Sequence, residues 1–156
     1  MRRALAVLWL ILAGLMAAAG WVRLAPVGPV AFHAEPLMAA KLSGSRDWLV
    51  RVEGGDAVAP VFAGGPVELM ARLAAAALAE PRTRVLAGRP EEAWMSFVQR
   101  SAIVGYPDVI SVRTFPQGGG ATLAIWSRSR FGGNDWGVNR ARAERWIAAL
   151  GAPLAR

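Results

Sequence analysis

Cysteine is absent from the 156 residues, and histidine, lysine and tyrosine occur once each. The missing thiols exclude disulfides, a lipid-modified cysteine, thiolate metal sites and a cysteine nucleophile. A single histidine, His33, makes a Ser-His-Asp or Cys-His catalytic arrangement hard to assemble. No nucleophile elbow, phosphate-binding P-loop or H-E-x-x-H helix motif occurs, and no internal repeat is visible. Neither a metal nor a cofactor is expected.

What is present is a chain of one domain plus a small appendage, with 54% apolar residues and hence enough material for a packed core. Basic residues outnumber acidic ones 18 to 11, for a net charge of +7. The excess sits at the two ends. Residues 1–33 carry arginines and no acid, 34–96 are nearly balanced, and 97–156 set many arginines against only Asp108, Asp135 and Glu144. No aromatic-basic reading motif accompanies this charge, so nucleic acid is not an expected partner.

The leader "MRRALAVLWLILAGLMAAAGWVRLAP" follows Arg2 and Arg3 with an uncharged run from Ala4 to Val22. As a helix that run would be about 28 Å long, close to the hydrocarbon thickness of a bilayer. Residues 1–22 are therefore expected to be a transmembrane anchor, with Trp21 at the far interface. Cleavage of a signal peptide after Ala19, within "MAAAG", is the alternative. The positive-inside rule keeps Arg2 and Arg3 on the cytoplasmic side and sends the remainder across. Residues 23–47 carry three prolines and no clear period, which suggests an extended tether or a loosely docked arm. His33, within it, suits a packing or hydrogen-bonding role better than a metal site.

Residues 48–151 are expected to form an α+β domain. "DWLVRV" and "AVAPVF" are short strand-like runs around a Gly-Gly-Asp turn. "GGPVELMARLAAAALAEP" is a helix with Pro66 in its first turn; a wheel gathers Val67, Met70, Leu73, Ala74, Ala77 and Leu78 on its buried side. "RTRVLAG", "AWMSFVQRS", "DVISVRTF" and "ATLAIWSR" follow as strands, the last two around the hairpin loop "PQGGG". Ile110, Val112 and Thr114 alternate with Ser111 and Arg113, the pattern of an antiparallel sheet with one covered face. A second helix runs from about Asp135 to Leu150. The architecture predicted is a mainly antiparallel sheet with two helices on one face, preceded by the apolar segment.

The last helix is unusual. Its apolar sector, holding Val138, Trp146, Ala149 and Leu150, also takes in Asn139 and Arg142. A buried guanidinium requires a partner, and the sequence offers Asp135 or Asp108. In one account Asp108, Ser127, Ser129, Asp135, Asn139 and Arg142 form a polar cluster that locks helix to sheet. In the other, Gly132, Gly133 and Gly137 open a helix N-terminus to an anion ringed by Arg128, Arg130 and Arg140. Asp135 would compete with such an anion, which favours the first account.

"SRFGGNDWGVNRARAERWIAAL", with "VQRSAIVGYPDVISVR" before it, resembles the family catalogued as domain of unknown function 1499. The likeness rests on Ser129, Arg130, Gly132, Asp135, Gly137, Asn139 and Arg142, and on Gly105, Tyr106 and Asp108, across residues 48–150. Asn134 and Val109 depart from the pattern, where serine and a second acid are common, and a short Pro-Asn-Cys motif is missing. The resemblance implies a bacterial or plastid protein behind a membrane or export segment, and no particular activity. The expectation is a membrane-anchored binding or assembly module of the cell envelope. It would be a single-pass inner-membrane protein with its C-terminal domain in the periplasm, meeting anionic lipid or an envelope protein. The alternative is a small hydrolase using Asp108 and Asp135 in a polar cleft.

Overall fold

A computed structural model of the chain describes residues 2–42 and 46–155. The first helix, α1 (Arg2–Leu24), buries none of its residues. It is long and apolar enough to cross a membrane, though a signal sequence near an N-terminus meets the same test. After it come a single helical turn, α2 (Pro29–Phe32), and a 3-10 turn (Pro36–Met38), each opened by the proline that its first turn tolerates.

Among the described residues six strands make one sheet: β1 (Asp47–Arg51), β2 (Ala57–Val58), β3 (Thr83–Arg89), β4 (Trp94–Arg100), β5 (Pro107–Gln117) and β6 (Gly120–Ser129). Their order across the sheet is β2-β1-β6-β5-β4-β3. β3 to β6 form an antiparallel meander, β1 pairs antiparallel with β6, and only the β1–β2 contact is parallel. Of "AVAPVF", only Ala57 and Val58 enter a strand, because Pro60 offers no amide to a ladder; Phe62 then makes an isolated bridge to Ala121. A register shift between Val85 and Ala87 bends β3, and Gly88 recovers the pairing at φ 82°, where a Cβ would collide with the carbonyl of Trp94.

Two helices cover one face, α3 (Pro66–Ala79) and α4 (Val138–Ala148). Under α3 lie Leu69, Met70, Leu73, Ala74 and Ala77, whereas Val67 and Leu78 are about half exposed. The buried stripe is thus rotated from the sequence wheel: Leu69 takes the inward place, and the positions near both ends of the helix turn out. α4 supplies Ala143 and Trp146, whose indole meets Phe97 edge-on at 5.5 Å. Val138 and Ala149 face solvent, and Leu150 is buried just past the helix. Strand alternation completes this core with Met95, Phe97, Ile110, Val112, Leu123 and Ile125.

The expectation of a single covered face needs correction. Ser96, Val98, Val109, Ser111 and Arg128 point away from the helices, yet all are buried. Their cover is the proline-rich segment after α1. Ala25, Val27, Pro36 and Ala39 are buried in it, and Val27 and Phe32 pack with Val98, Val109 and Leu86. This segment is docked across the sheet rather than extended from it.

Candidate functional site

β5 and β6 turn every second side chain toward α4, which delivers Asp108 from one strand and Ser127 and Ser129 from the other. α4 brings Asn139 and Arg142, both buried, down onto them. Arg142 donates from Nη2 to Asp108 Oδ2 at 2.7 Å, from Nη1 to Ser127 Oγ at 2.9 Å and Asn139 Oδ1 at 2.7 Å, and from Nε to Gln99 Oε1 at 2.6 Å. Asn139 Oδ1 also accepts from Ser127 Oγ, and its Nδ2 donates to Ser129 Oγ and the Arg46 carbonyl. Four of the five N–H bonds of a guanidinium are therefore occupied, with a carboxylate beside it, which is the condition for burying one.

The network extends further. Gln99 Nε2 donates to Glu80 Oε2 at 2.7 Å and Thr83 Oγ1 at 2.9 Å, and Arg145 grips Glu80 with Nε at 2.9 Å and Nη2 at 3.1 Å. Burial alone would push the Glu80 carboxyl up, but hydrogen bonds from Arg145 and then Gln99 outweigh it and leave the pKa lowered. A depressed carboxyl stabilises the fold above its unfolded pKa and loses that contribution as pH falls through its folded value. Glu80→Gln should accordingly melt below the parent near neutrality, with the gap closing toward pH 3. Thermal melts across that range check this, and a gap independent of pH would count against it.

Asp108, Gln99, Glu80, Arg142 and Arg145 line a cleft of about 640 Å³. Asp135 is not in it. Its Oδ2 accepts from the Asn139 amide at 2.8 Å and its Oδ1 from Gly137 at 3.1 Å, closing the start of α4. Asp135 lines a separate cavity of about 200 Å³ with Asp47, Asp56 and Arg140. The carboxylate pair of the hydrolase alternative is thus not formed. The anion ring is not formed either. Arg128 is buried on the other face of the sheet, Arg140 pairs with Glu144 at 2.8 Å, and Asp135 holds the helix start. Arg130 also leaves the cluster: it donates to the Pro26 carbonyl and lies over the rings of Phe32 and Phe131.

On the second face Arg128 donates to Ser111 Oγ at 3.1 Å and the Phe32 carbonyl at 2.7 Å, with its guanidinium 3.9 Å above the Trp126 ring. Burial pulls its pKa down to about 10, and the nearby Asp47 partly offsets this. Asp47 Oδ2 accepts from Trp126 Nε1 at 2.8 Å and the Leu42 amide at 3.0 Å. His33 Nδ1 is 2.9 Å from Ser96 Oγ, and its ring stacks on Trp94 at 3.9 Å. Its pKa is lowered by burial, against the opposing pull of Glu92 and Glu35. Sequence reasoning passed over Asp47, Ser96 and Trp126, and took Ser111 for an uncovered position. Polar residues at outward strand positions read as a solvated face when the covering segment has no period. Among the described residues no group of three or more His, Asp or Glu could hold a metal.

At the sheet end from which the loops after Arg100 and Ser129 leave, the C-terminal turn of α1 is held. Trp21 meets Phe131 edge-on at 5.6 Å, and Tyr106 lies against the same ring at 6.4 Å. Arg100 donates to the Gly105 carbonyl at 2.9 Å and the Ala25 carbonyl at 3.0 Å. Burial lowers its pKa, and so do its cationic neighbours Arg84, Arg130 and Arg23. Gly105, at φ 83°, lets Arg23 approach within van der Waals reach. Ile103 and Trp136, on the two loops at this end, are each 89% exposed.

These features define a small α+β domain behind an apolar helix, with one polar network under α4 and another beneath a docked arm. The chain belongs to the family described as a protein of unknown function, DUF1499, whose model matches residues 32–150. The match begins inside the arm, at Phe32, so the second face falls within the family's span while Ala25 and Val27 of its cover lie before it. No curated protein and no solved structure matches the chain.

Proposed function

We propose that this protein is a membrane-anchored binding module of the cell envelope, its domain held against the outer surface of an inner membrane in the periplasm. The observation that carries the proposal is the surroundings of the α1 exit. An unburied apolar helix of 23 residues ends among Trp21, Tyr106 and Phe131, with Arg23, Arg84, Arg100 and Arg130 close together and Ile103 exposed on the loop between Arg100 and Gly105. Aromatic rings and guanidinium groups at the end of an apolar helix match the interfacial zone of a bilayer, where each cation near an anionic surface contributes about 1 kcal/mol. Arg2 and Arg3 at the other end of α1 support a cytoplasmic N-terminus. The occupied state of Asp108 and Asp135 favours binding over hydrolysis.

The test is co-sedimentation of residues 23–156 with vesicles containing phosphatidylglycerol. Binding should be strong at about 50 mM salt and largely gone by about 500 mM, where screening reaches a few Å. Arg84→Glu should weaken it about tenfold or more, since it replaces attraction by repulsion at the surface. Absence of binding at low salt would sink the lipid contact.

A further inference from the structure

A cavity of about 350 Å³ opens between the arm and the second face of the sheet, lined among others by Phe32, Leu42, Arg46, Trp126, Arg128 and Arg130. Its size is at the lower end for small-molecule sites. Its two halves differ in chemistry: Phe32, Leu42 and Trp126 with neighbouring alanines and Val109 form an apolar wall, and three arginines with Ser129 form the rest. The one carboxylate close to Arg128 among the described residues, Asp47, is engaged at Oδ2 by Leu42 and Trp126, while its Oδ1 is buried without a partner there. Three guanidinium groups against one acid leave an excess of two positive charges.

Arg128 is the built element. It is 7% exposed, fixed by Ser111, the Phe32 carbonyl and the Trp126 ring, and uses two of its five N–H bonds. Among the described residues three therefore have no acceptor, and no carboxylate lies within ion-pair distance. Arg46 Nε is likewise buried and without a partner among the described residues. Such donors are the groups that a tetrahedral oxyanion satisfies several at a time.

We propose that this cavity binds a phosphate group carrying a short apolar stem, with the phosphate held by Arg46, Arg128 and Arg130 and the stem against Phe32, Leu42 and Trp126. Because Arg130 also touches Pro26, two residues beyond α1, the site lies next to the helix exit. A bilayer source for the ligand, an anionic phospholipid, rests on the membrane reading above; a soluble phosphomonoester needs only the cavity.

The test uses the full chain in a neutral maltoside detergent and follows its melting temperature with three probes: dihexanoyl phosphatidic acid, dihexanoyl phosphatidylcholine and butyl phosphate. Phosphatidic acid well above its dissociation constant should raise the transition by about 5 °C, and phosphatidylcholine should do much less. An equal rise with butyl phosphate assigns a solution source, and a rise with phosphatidic acid alone assigns the bilayer. Arg46→Gln should weaken the apparent affinity about tenfold, and Arg128→Lys, which keeps the charge but loses the planar fork, by a comparable factor. If Arg128→Lys does not fold, Arg46→Gln decides alone. No rise with either phosphate probe, an equal rise with phosphatidylcholine, or an unchanged response in Arg46→Gln overturns the proposal. Neither variant touches Arg84 or Arg100, so loss of vesicle binding with the phosphate response intact would remove the membrane contact and leave the cavity's ligand standing.

Discussion

Replacing Arg142 with alanine should destabilise the domain by about 3–5 kcal/mol, the range seen when one partner of a buried ion pair is removed. The cost comes from what stays behind. Asp108, 8% exposed, loses its only ion-pair partner at 2.7 Å among the described residues, and Gln99 Oε1 loses a donor at 2.6 Å. Asn139 and Ser127, both fully buried, lose a shared donor and keep only each other at that point. Arg142→Lys should restore part of the loss, since an ammonium supplies charge but not a planar fork reaching four acceptors. Arg142→Met combined with Asp108→Leu should recover most of it, because an apolar pair needs no desolvated charge compensated. Denaturant unfolding followed by circular dichroism measures all three. A single mutant as stable as the parent would mean that water or rearranged neighbours satisfy these groups, and that the cluster does not lock α4 to the sheet.

How far this cluster could be read in advance depends on whether each contact is local. Asn139 and Arg142 fall inside the apolar sector of α4 by helical geometry alone, and both are buried. The partner of Arg142 was open between Asp135 and Asp108, because only strand register decides it. Asp108 pairs with Ser129 across β5 and β6, which places its carboxylate under α4, while Asp135 is drawn to the helix amides. Gln99 and Glu80 join through β4 and the end of α3, at distances in sequence that no wheel or spacing rule spans. The meander itself was legible because Ile110, Val112 and Thr114 alternate with Ser111 and Arg113 and the loop after Gln117 is rich in glycine. The cover of the second face was not, because the arm packs through scattered residues such as Val27 and Phe32 and has no repeating face. Arg128 shows the consequence most sharply. Its outward strand position suggests a solvated cation, and the arm turns it into a buried one.

The arm provides the second large expected effect. Residues 25–156 should melt much as the full chain does in detergent, because α1 buries none of its residues. Residues 41–156 should lose roughly 3–6 kcal/mol. Val98 and Val109, each 1% exposed, would be uncovered on the second face, at about 1.5–3 kcal/mol for each valine returned to water. The ordering entropy of the arm and the burial of its own Ala25, Val27, Pro36 and Ala39 leave together, so they offset one another in the comparison. The hydroxyls of Ser96 and Ser111 would meet water instead of His33 and the Phe32 carbonyl, a near-neutral exchange. Arg128 would regain hydration and lose only its bond to Phe32. The apolar term therefore decides the sign. Equal stability of the two fragments would mean that the sheet carries its second face without the arm. The cavity between them would then have no fixed wall, and the phosphate response should disappear with the cover.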